Sequence, residues 1–459
     1  MSSAFSSIAP GADPAPSSHG SIGFVYFVSL VAATSGLLFG FDIAVINGAI
    51  LFLRQQFALT EFQTEAAASS LLFGCVLGAI VAGLSDRFGR RKILLFSAAL
   101  FGLSAIGAAL PRTLWEFGAA RFAGGVAIGV AALLAPLYIA EIAPARIRGR
   151  LVALNQMAIV TGILLAYFVN WALSFGGTES WRWMFAVAAL PSLALLIALF
   201  FVPESPRWLV EFGREAEAFA VLARVSGSVE AARELPRIRE AIAEESGTLR
   251  QLFEPGYRRA LGIAVALAIL QQITGINTVL FYGSVLFKEH LGNEDSAAIG
   301  ANVAIGAVNF VATLAALWWI DRAGRKTLLM GSAAAMAACQ ILLGFAFLSQ
   351  PPSAWLVLPL VLGCVAAFAI GIGPATWVVL AEIFPTKVRG RAMGIATVAL
   401  WLACILLTMT YLTLVRAVGV SGAFWIYGSV CVVTYVFVWK LLPETKGKTL
   451  EEIERSWRV

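Results

Sequence analysis

What most constrains this chain is that apolar segments of some 20 residues recur about twelve times along it. Each is long enough to cross the ~30 Å hydrocarbon core as a helix. In lipid the backbone must satisfy its own hydrogen bonds, so such segments form helices and not open strands. They fall near 22–50, 64–84, 93–110, 115–140, 151–175, 183–202, 259–287, 297–320, 327–348, 355–380, 392–415 and 422–442. Hydrophobic residues make up 59% of the chain and charged residues 13%, against about a quarter charged in a soluble domain. The expected class is an all-α membrane protein with twelve transmembrane helices.

The net charge of +6 is explained by its distribution and needs no nucleic-acid partner. Basic residues gather in the connections after the second, fourth, eighth and tenth spans: Arg87, Arg90, Arg91 and Lys92; Arg146, Arg148 and Arg150; Arg322, Arg325 and Lys326; Lys387, Arg389 and Arg391. The intervening connections hold one or two each, such as Arg54, Arg112, Lys288 and Arg416. The positive-inside rule then places those loops and both termini in the cytoplasm. Residues 1–21, rich in Ser, Pro, Ala and Gly, read as a disordered cytoplasmic tail without the basic start of a signal peptide.

Three motifs occur twice. Asp86-Arg87-Phe88-Gly89-Arg90-Arg91 returns as Asp321-Arg322-Ala323-Gly324-Arg325-Lys326, EIAPARIRGR from Glu141 as EIFPTKVRGR from Glu382, and PESPRWL from Pro203 as PETKGKTL from Pro443. The near-constant spacing divides the chain into two six-helix halves in the same orientation, 22–202 and 258–442, the plan of transporters that rock two bundles about a midplane site. Residues 203–257 between them are polar with apolar residues at helical spacing, hence short cytoplasmic helices. Residues 443–459 form a second cytoplasmic tail.

No chemical engine is visible. Gly447-Lys448-Thr449 lacks the rest of a phosphate loop, and His19 and His290 form no metal cluster or catalytic pair. Cys75, Cys339, Cys364, Cys404 and Cys431 all lie in apolar helices and read as small buried hydrophobes, with no disulfide. No enzyme, metal or cofactor is expected. Asp42, in GLLFGFDIAVING, is the exception to an uncharged run, and a carboxylate at such depth costs roughly 3 kcal/mol on insertion scales. At about 1.5 Å per residue, Asp42 lies ~18 Å below Arg54 and Arg121 ~13 Å below Arg112, so the two share a depth.

The run of motifs DRFGRR, RFAGGVAIGVAALLAPLYIAEIAPARIRGRLVALNQ, PESPRWL, QQITGIN, DRAGRK, GPATWVVLAEIFPTKVRGR and PETKGKTLEE resembles the sugar porter family of the major facilitator superfamily over residues 22–454. Asp42 makes the resemblance closest to the bacterial proton-coupled sugar symporters. The resemblance implies the major facilitator fold, two pseudo-symmetric six-helix bundles, in a multi-pass protein of the cytoplasmic (inner) membrane. It implies proton coupling at Asp42 beside Arg121, and sugar contacts at Gln156, Gln271, Gln272, Asn277, Asn309, Trp377 and Trp401. These residue types suit the task, since amides offer both donors and acceptors to hydroxyls and indole faces cover the apolar side of a sugar ring. Phe281, Leu400 and Cys404 stand where relatives often carry polar groups, so glucose is not assured as the substrate.

Gates are implied at Gly275 in the seventh span, at Gly373 and Pro374 in the tenth, and at Tyr282, which closes the external side in the family. The cytoplasmic motifs resemble a salt-bridge network that locks the inner ends together: Arg87, Arg91, Glu141, Arg148, Glu204 and Arg207 in the first half, Arg322, Arg325, Glu382, Arg389 and Glu444 in the second. The resulting expectation is import of a monosaccharide by proton symport with alternating access, its partners being the sugar or polyol, a proton and the lipid bilayer, and its functional unit a monomer. An uncoupled sugar or polyol uniporter and, with less support, a non-transporting sugar sensor remain the alternatives.

Overall fold

The computed structural model describes residues 20–244, 249–291, 294–349, 352–384 and 386–444. The two expected tails therefore lie almost wholly outside the described residues. The described residues contain no strand.

In the first half the helices are α1 (Ile22–Gln56), α2 (Glu61–Ala82), the single turn α3 (Ser85–Phe88), α4 (Arg90–Ala109), α5 (Leu114–Ile142), α6 (Arg148–Leu173), α7 (Ser180–Ala186) and α8 (Ala189–Ala198). The last two share the sixth span, parted at Val187 and Ala188, because Pro191 has no N–H for the Val187 carbonyl four residues back and its ring crowds that carbonyl. Three connecting helices follow: α9 (Pro206–Glu211), α10 (Glu215–Ser226) and α11 (Ser228–Glu244). The second half comprises α12 (Pro255–Ile273), α13 (Ile276–Leu291), α14 (Asp295–Ala323), α15 (Arg325–Ala346), α16 (Ala354–Ile370), α17 (Ile372–Glu382) and α18 (Thr386–Leu441).

Eleven apolar stretches among the described residues are long enough to span a membrane. The last of them, Val388–Leu441, is 54 residues long, about twice what one crossing needs. Gly419, at φ 75° and ψ 165°, divides it in two, so α18 supplies the eleventh and twelfth crossings.

With lipid outside, helices gain nothing from hydrophobic exclusion and pack through close backbone contact. Glycine supplies that contact between α2 and α5, where a Cβ on Gly125 would lie 1.8 Å from the Leu71 carbonyl oxygen. Gly162 serves the α1–α6 crossing, where a Cβ would come within 2.0 Å of the Leu37 carbonyl oxygen. Large apolar side chains such as Ile80, Leu103, Leu190, Phe345 and Leu406 point outward and are exposed, as a lipid-facing surface requires.

The connecting helices bury Trp208, Leu209 and Val210 against one another and dock on the first bundle. The Trp208 indole N–H donates to the Asp86 carbonyl at 3.1 Å, and Arg224 stacks over the Phe24 ring at 3.7 Å. They mark one end of the molecule, called here the linker end.

Candidate functional site

α1 and α5 bring Asp42 and Arg121 into contact. Arg121 Nη1 donates to Asp42 Oδ1, and Nη2 donates to the Asp42 main-chain carbonyl at 2.7 Å. Arg121 is 0% exposed and Asp42 8%. The guanidinium also lies 5.1 Å from the centre of the Phe185 ring. A Cβ on Gly124 would stand 2.9 Å from Asp42 Oδ2 and 2.3 Å from Ser104 Oγ, so a glycine there leaves the carboxylate its room. Arg121 Nε and Ser104 Oγ have no hydrogen-bond partner among the described residues. An ion pair this deep is held by fewer bonds than it has donors to offer, and either partner alone would be a costly buried charge.

The second constellation sits at two helix breaks. Gly275 separates α12 from α13 at φ +86°, with its α-carbon against Tyr427, whose Cγ a Cβ would approach to 2.6 Å. Just before the break, Gln271 donates to the carbonyls of Ile372 and Gly373, at 3.1 and 3.0 Å, in the first turn of α17. Ser332 closes the same joint, accepting from the Ile372 amide at 3.1 Å and donating to the Ala367 carbonyl at 2.6 Å. Gly373 and Pro374 lie in that first turn of α17. Gln271, expected as a sugar contact, therefore has its amide nitrogen committed to splicing one broken helix to another.

Its neighbours remain in line. Gln272 Nε2 donates to Gln271 Oε1 at 3.3 Å, and Asn277 Nδ2 donates to Gln272 Oε1 at 2.5 Å and to Cys404 Sγ at 3.4 Å. Gln156 on α6 and the buried Asn309 side chain on α14 bond to no protein group among the described residues, and α6 packs on α14 across the two bundles. Trp401 is 4% exposed, its indole N–H has no partner among the described residues, and its ring lies 6.0 Å from that of Phe39 on α1. Trp377 is half-buried on α17. The unpartnered amides and indole on α6, α14 and α18 leave polar capacity for a polar ligand within an apolar interior.

At the linker end the repeated motifs build the same helix cap in both halves. Gly89 and Gly324 adopt φ +99° and +88°. Each turns the chain so that a glutamate caps the next helix: Glu204 accepts from the amides of Arg90 and Arg91, at 2.9 and 3.1 Å. Glu444 accepts from those of Arg325 and Lys326, at 3.1 and 3.2 Å. A carboxylate at a helix N-terminus meets both free N–H groups and the positive end of the dipole.

Glu141 is held by Arg90 and not by Arg87, Arg91 or Arg148, through Nε at 3.1 Å and Nη2 at 3.2 Å. Arg91 points round to the carbonyls of Leu199 and Phe200, and Arg87 lies over Phe88. Arg148 reaches Glu234 of α11 at 3.7 Å and the Ala143 carbonyl at 3.2 Å. In the second half Arg325 holds Glu382 at 3.0 Å, Arg389 donates to the Phe384 carbonyl at 3.2 Å, and Arg322 lies over Trp318. Arg207 sits in α9 beside Trp208. The Arg90–Glu141 and Arg325–Glu382 pairs each lie within one bundle.

The bonds that join the bundles cluster at the opposite end. Asn47 on α1 donates to the Leu280 carbonyl at 2.8 Å and accepts from the Ser284 amide at 3.0 Å, both on α13. Beside them, within the second bundle, Tyr282 on α13 donates to the Thr408 carbonyl of α18 at 2.8 Å and stacks on Tyr411 at 5.1 Å. Arg54 meets Glu289 at 2.5 Å. Glu65 on α2 accepts from the amide and hydroxyl of Thr413 on α18, both at 2.9 Å. At the linker end a cavity of about 1360 Å³ opens between the connecting helices, Arg148 and Arg389. Asn47, Glu65 and Arg90 were not foreseen as site residues; a second polar side chain in an apolar span was the signal for the first two.

Two bundles shut at one end and parted at the other, one holding a buried ion pair and the other two broken helices, define a secondary membrane transporter of the major facilitator architecture. The chain belongs to the sugar transporter family: the family model described as sugar (and other) transporter matches residues 28–457. It is 41% identical over 452 residues to the arabinose-proton symporter of Bacillus subtilis, covering 97% of each chain. It is 38% identical over 475 residues to the D-xylose-proton symporter of Escherichia coli, covering 95% of this chain and 96% of that one. The partially occluded inward-open structure of the E. coli xylose transporter XylE matches with a TM-score of 0.83 at 36% identity, over 93% of this chain and 100% of that one. These are transporters, and this chain is no enzyme.

Proposed function

We propose that this protein imports a small sugar together with a proton across the cytoplasmic membrane by alternating access. The observation that carries the reading is the buried Asp42–Arg121 pair, one titratable carboxylate facing one permanent cation. A proton arriving at Asp42 neutralises it and frees Arg121 Nη1. Arg121 keeps the Asp42 carbonyl and the Phe185 face when that happens, which limits the cost of release. Movement of one helix against the other then changes how tightly the proton is held.

In this reading the linker end, with its basic loops and both termini, is cytoplasmic, and the structure is inward-facing. The bundles are 22–202 and 258–442, bridged by 203–257, and the monomer is the functional unit. Gln156, Gln272, Asn277, Asn309, Trp377 and Trp401 contact the sugar, Gln271 holds the breaks at Gly275 and Gly373–Pro374, and Tyr282 closes the outside. The names of the relatives favour a pentose. The test is uptake by proteoliposomes under an imposed pH gradient, with a panel of pentoses, hexoses and polyols: the proposal expects accumulation of a pentose, abolished by an uncoupler.

A further inference from the structure

Glu65 is fully buried, 0% exposed, on the face of α2 that meets α18. No cation among the described residues touches it: the nearby Arg416 reaches instead to Glu61, at 3.4 Å, one turn nearer the helix end. Its two oxygens divide between two donors of one residue on the other bundle, Oε1 taking the Thr413 amide and Oε2 the Thr413 hydroxyl. An amide in the body of a helix ordinarily belongs to the carbonyl four residues back, so Thr413 has an alternative when the carboxylate leaves. Five residues earlier on the same helix, the Thr408 carbonyl receives Tyr282. One stretch of α18 is thus fastened from two sides, by the gate tyrosine of α13 and by Glu65 of α2.

We propose that Glu65 is a latch of the external gate: it fastens α2 to α18 while that end is shut, lets go when the end opens, and so sets the balance between the two facing states. This rests on the alternating-access reading above. Its partners lie on the opposite bundle, so opening that end must break both bonds, and water can then solvate the freed carboxylate. A desolvated carboxylate with two donors is well bonded but not saturated, which suits a contact that must be broken in every cycle. Glu65 is a positioning residue and touches no sugar group in this account.

The test is hydrogen–deuterium exchange on the full-length protein in detergent or nanodiscs. Glu65→Leu should speed exchange about tenfold across residues 60–70 and 405–417, roughly the loss of a charge-assisted bond. It should also slow exchange across 141–150 and 382–392, as the linker end closes. Mere destabilisation speeds both ends. Glu65→Gln can still accept from the amide and donate to the hydroxyl, and should stay within about twofold of the parent. The latch is overturned if Glu65→Leu leaves the external end unchanged or tightens it, loosens both ends, or leaves the linker end unchanged, or if Glu65→Gln loosens the external end as much as leucine does. The exchange pattern needs no substrate, so it reads the latch separately from symport; a parent chain showing no sugar counterflow would count against the transport reading instead.

Discussion

Arg90 grips Glu141 through two bonds, 3.1 and 3.2 Å long, where the side chains are only 5% and 6% exposed. Arg148 and Glu234, 3.7 Å apart, are 42% and 23% exposed. The difference in burial sets the difference in consequence. Removing one partner of a buried pair strands a charge and costs about 3–5 kcal/mol, whereas an exposed pair is worth about 0–1 kcal/mol. Glu141→Ala should therefore lower the thermal stability of the purified protein sharply, and Arg148→Ala barely. Equal shifts in the two melting curves would refute this ranking.

Gly89 predicts a second asymmetry. Its φ of +99° with ψ 150° lies in a region open essentially to glycine alone, and a Cβ would stand 2.3 Å from Glu204 Oε2. Gly89→Ala should cost about 1–3 kcal/mol from backbone strain, with further loss as Glu204 is pushed off the N-terminus of α4. Gly149, where a Cβ would meet nothing within 4 Å, is the control, and its alanine variant should be nearly neutral. Comparable melting temperatures for the two variants would contradict the capping role.

The amides at the breaks should separate by kinetics. Gln271 joins α12 to α17, so Gln271→Ala should slow turnover more than it weakens sugar affinity. Gln272 and Asn277 are proposed to face the sugar, and each alanine variant should raise KM roughly fivefold, the worth of about one hydrogen bond. Initial-rate uptake across a range of sugar concentrations distinguishes the two patterns. A KM effect confined to Gln271 would reverse the assignment.

How much of this was legible beforehand follows from geometry. The spans were readable because run length alone fixes them, the α12–α13 break was visible at Gly275, and the division of α18 at Gly419 falls between the expected spans 392–415 and 422–442. The shared depth of Asp42 and Arg121 followed from rise per residue. Which way a side chain faces did not. Arg90 and Arg91 are adjacent, and about 100° of helical rotation sends the first to Glu141 and the second to the carbonyls of Leu199 and Phe200. Asn47 lies five residues after Asp42, about 140° further round, and so faces α13 while Asp42 faces α5. Pattern places a residue at a depth, and only packing decides its partner.

The central claim is that the proton moves through Asp42. The direct measurement is sugar uptake by proteoliposomes holding Asp42→Asn, with and without an imposed pH gradient, beside counterflow of labelled sugar in the same vesicles. The asparagine keeps the backbone carbonyl that Arg121 Nη2 uses and removes only the titratable group. The account predicts that counterflow persists while accumulation above the external concentration disappears. An Asp42→Asn protein that still concentrates sugar against its gradient would contradict it.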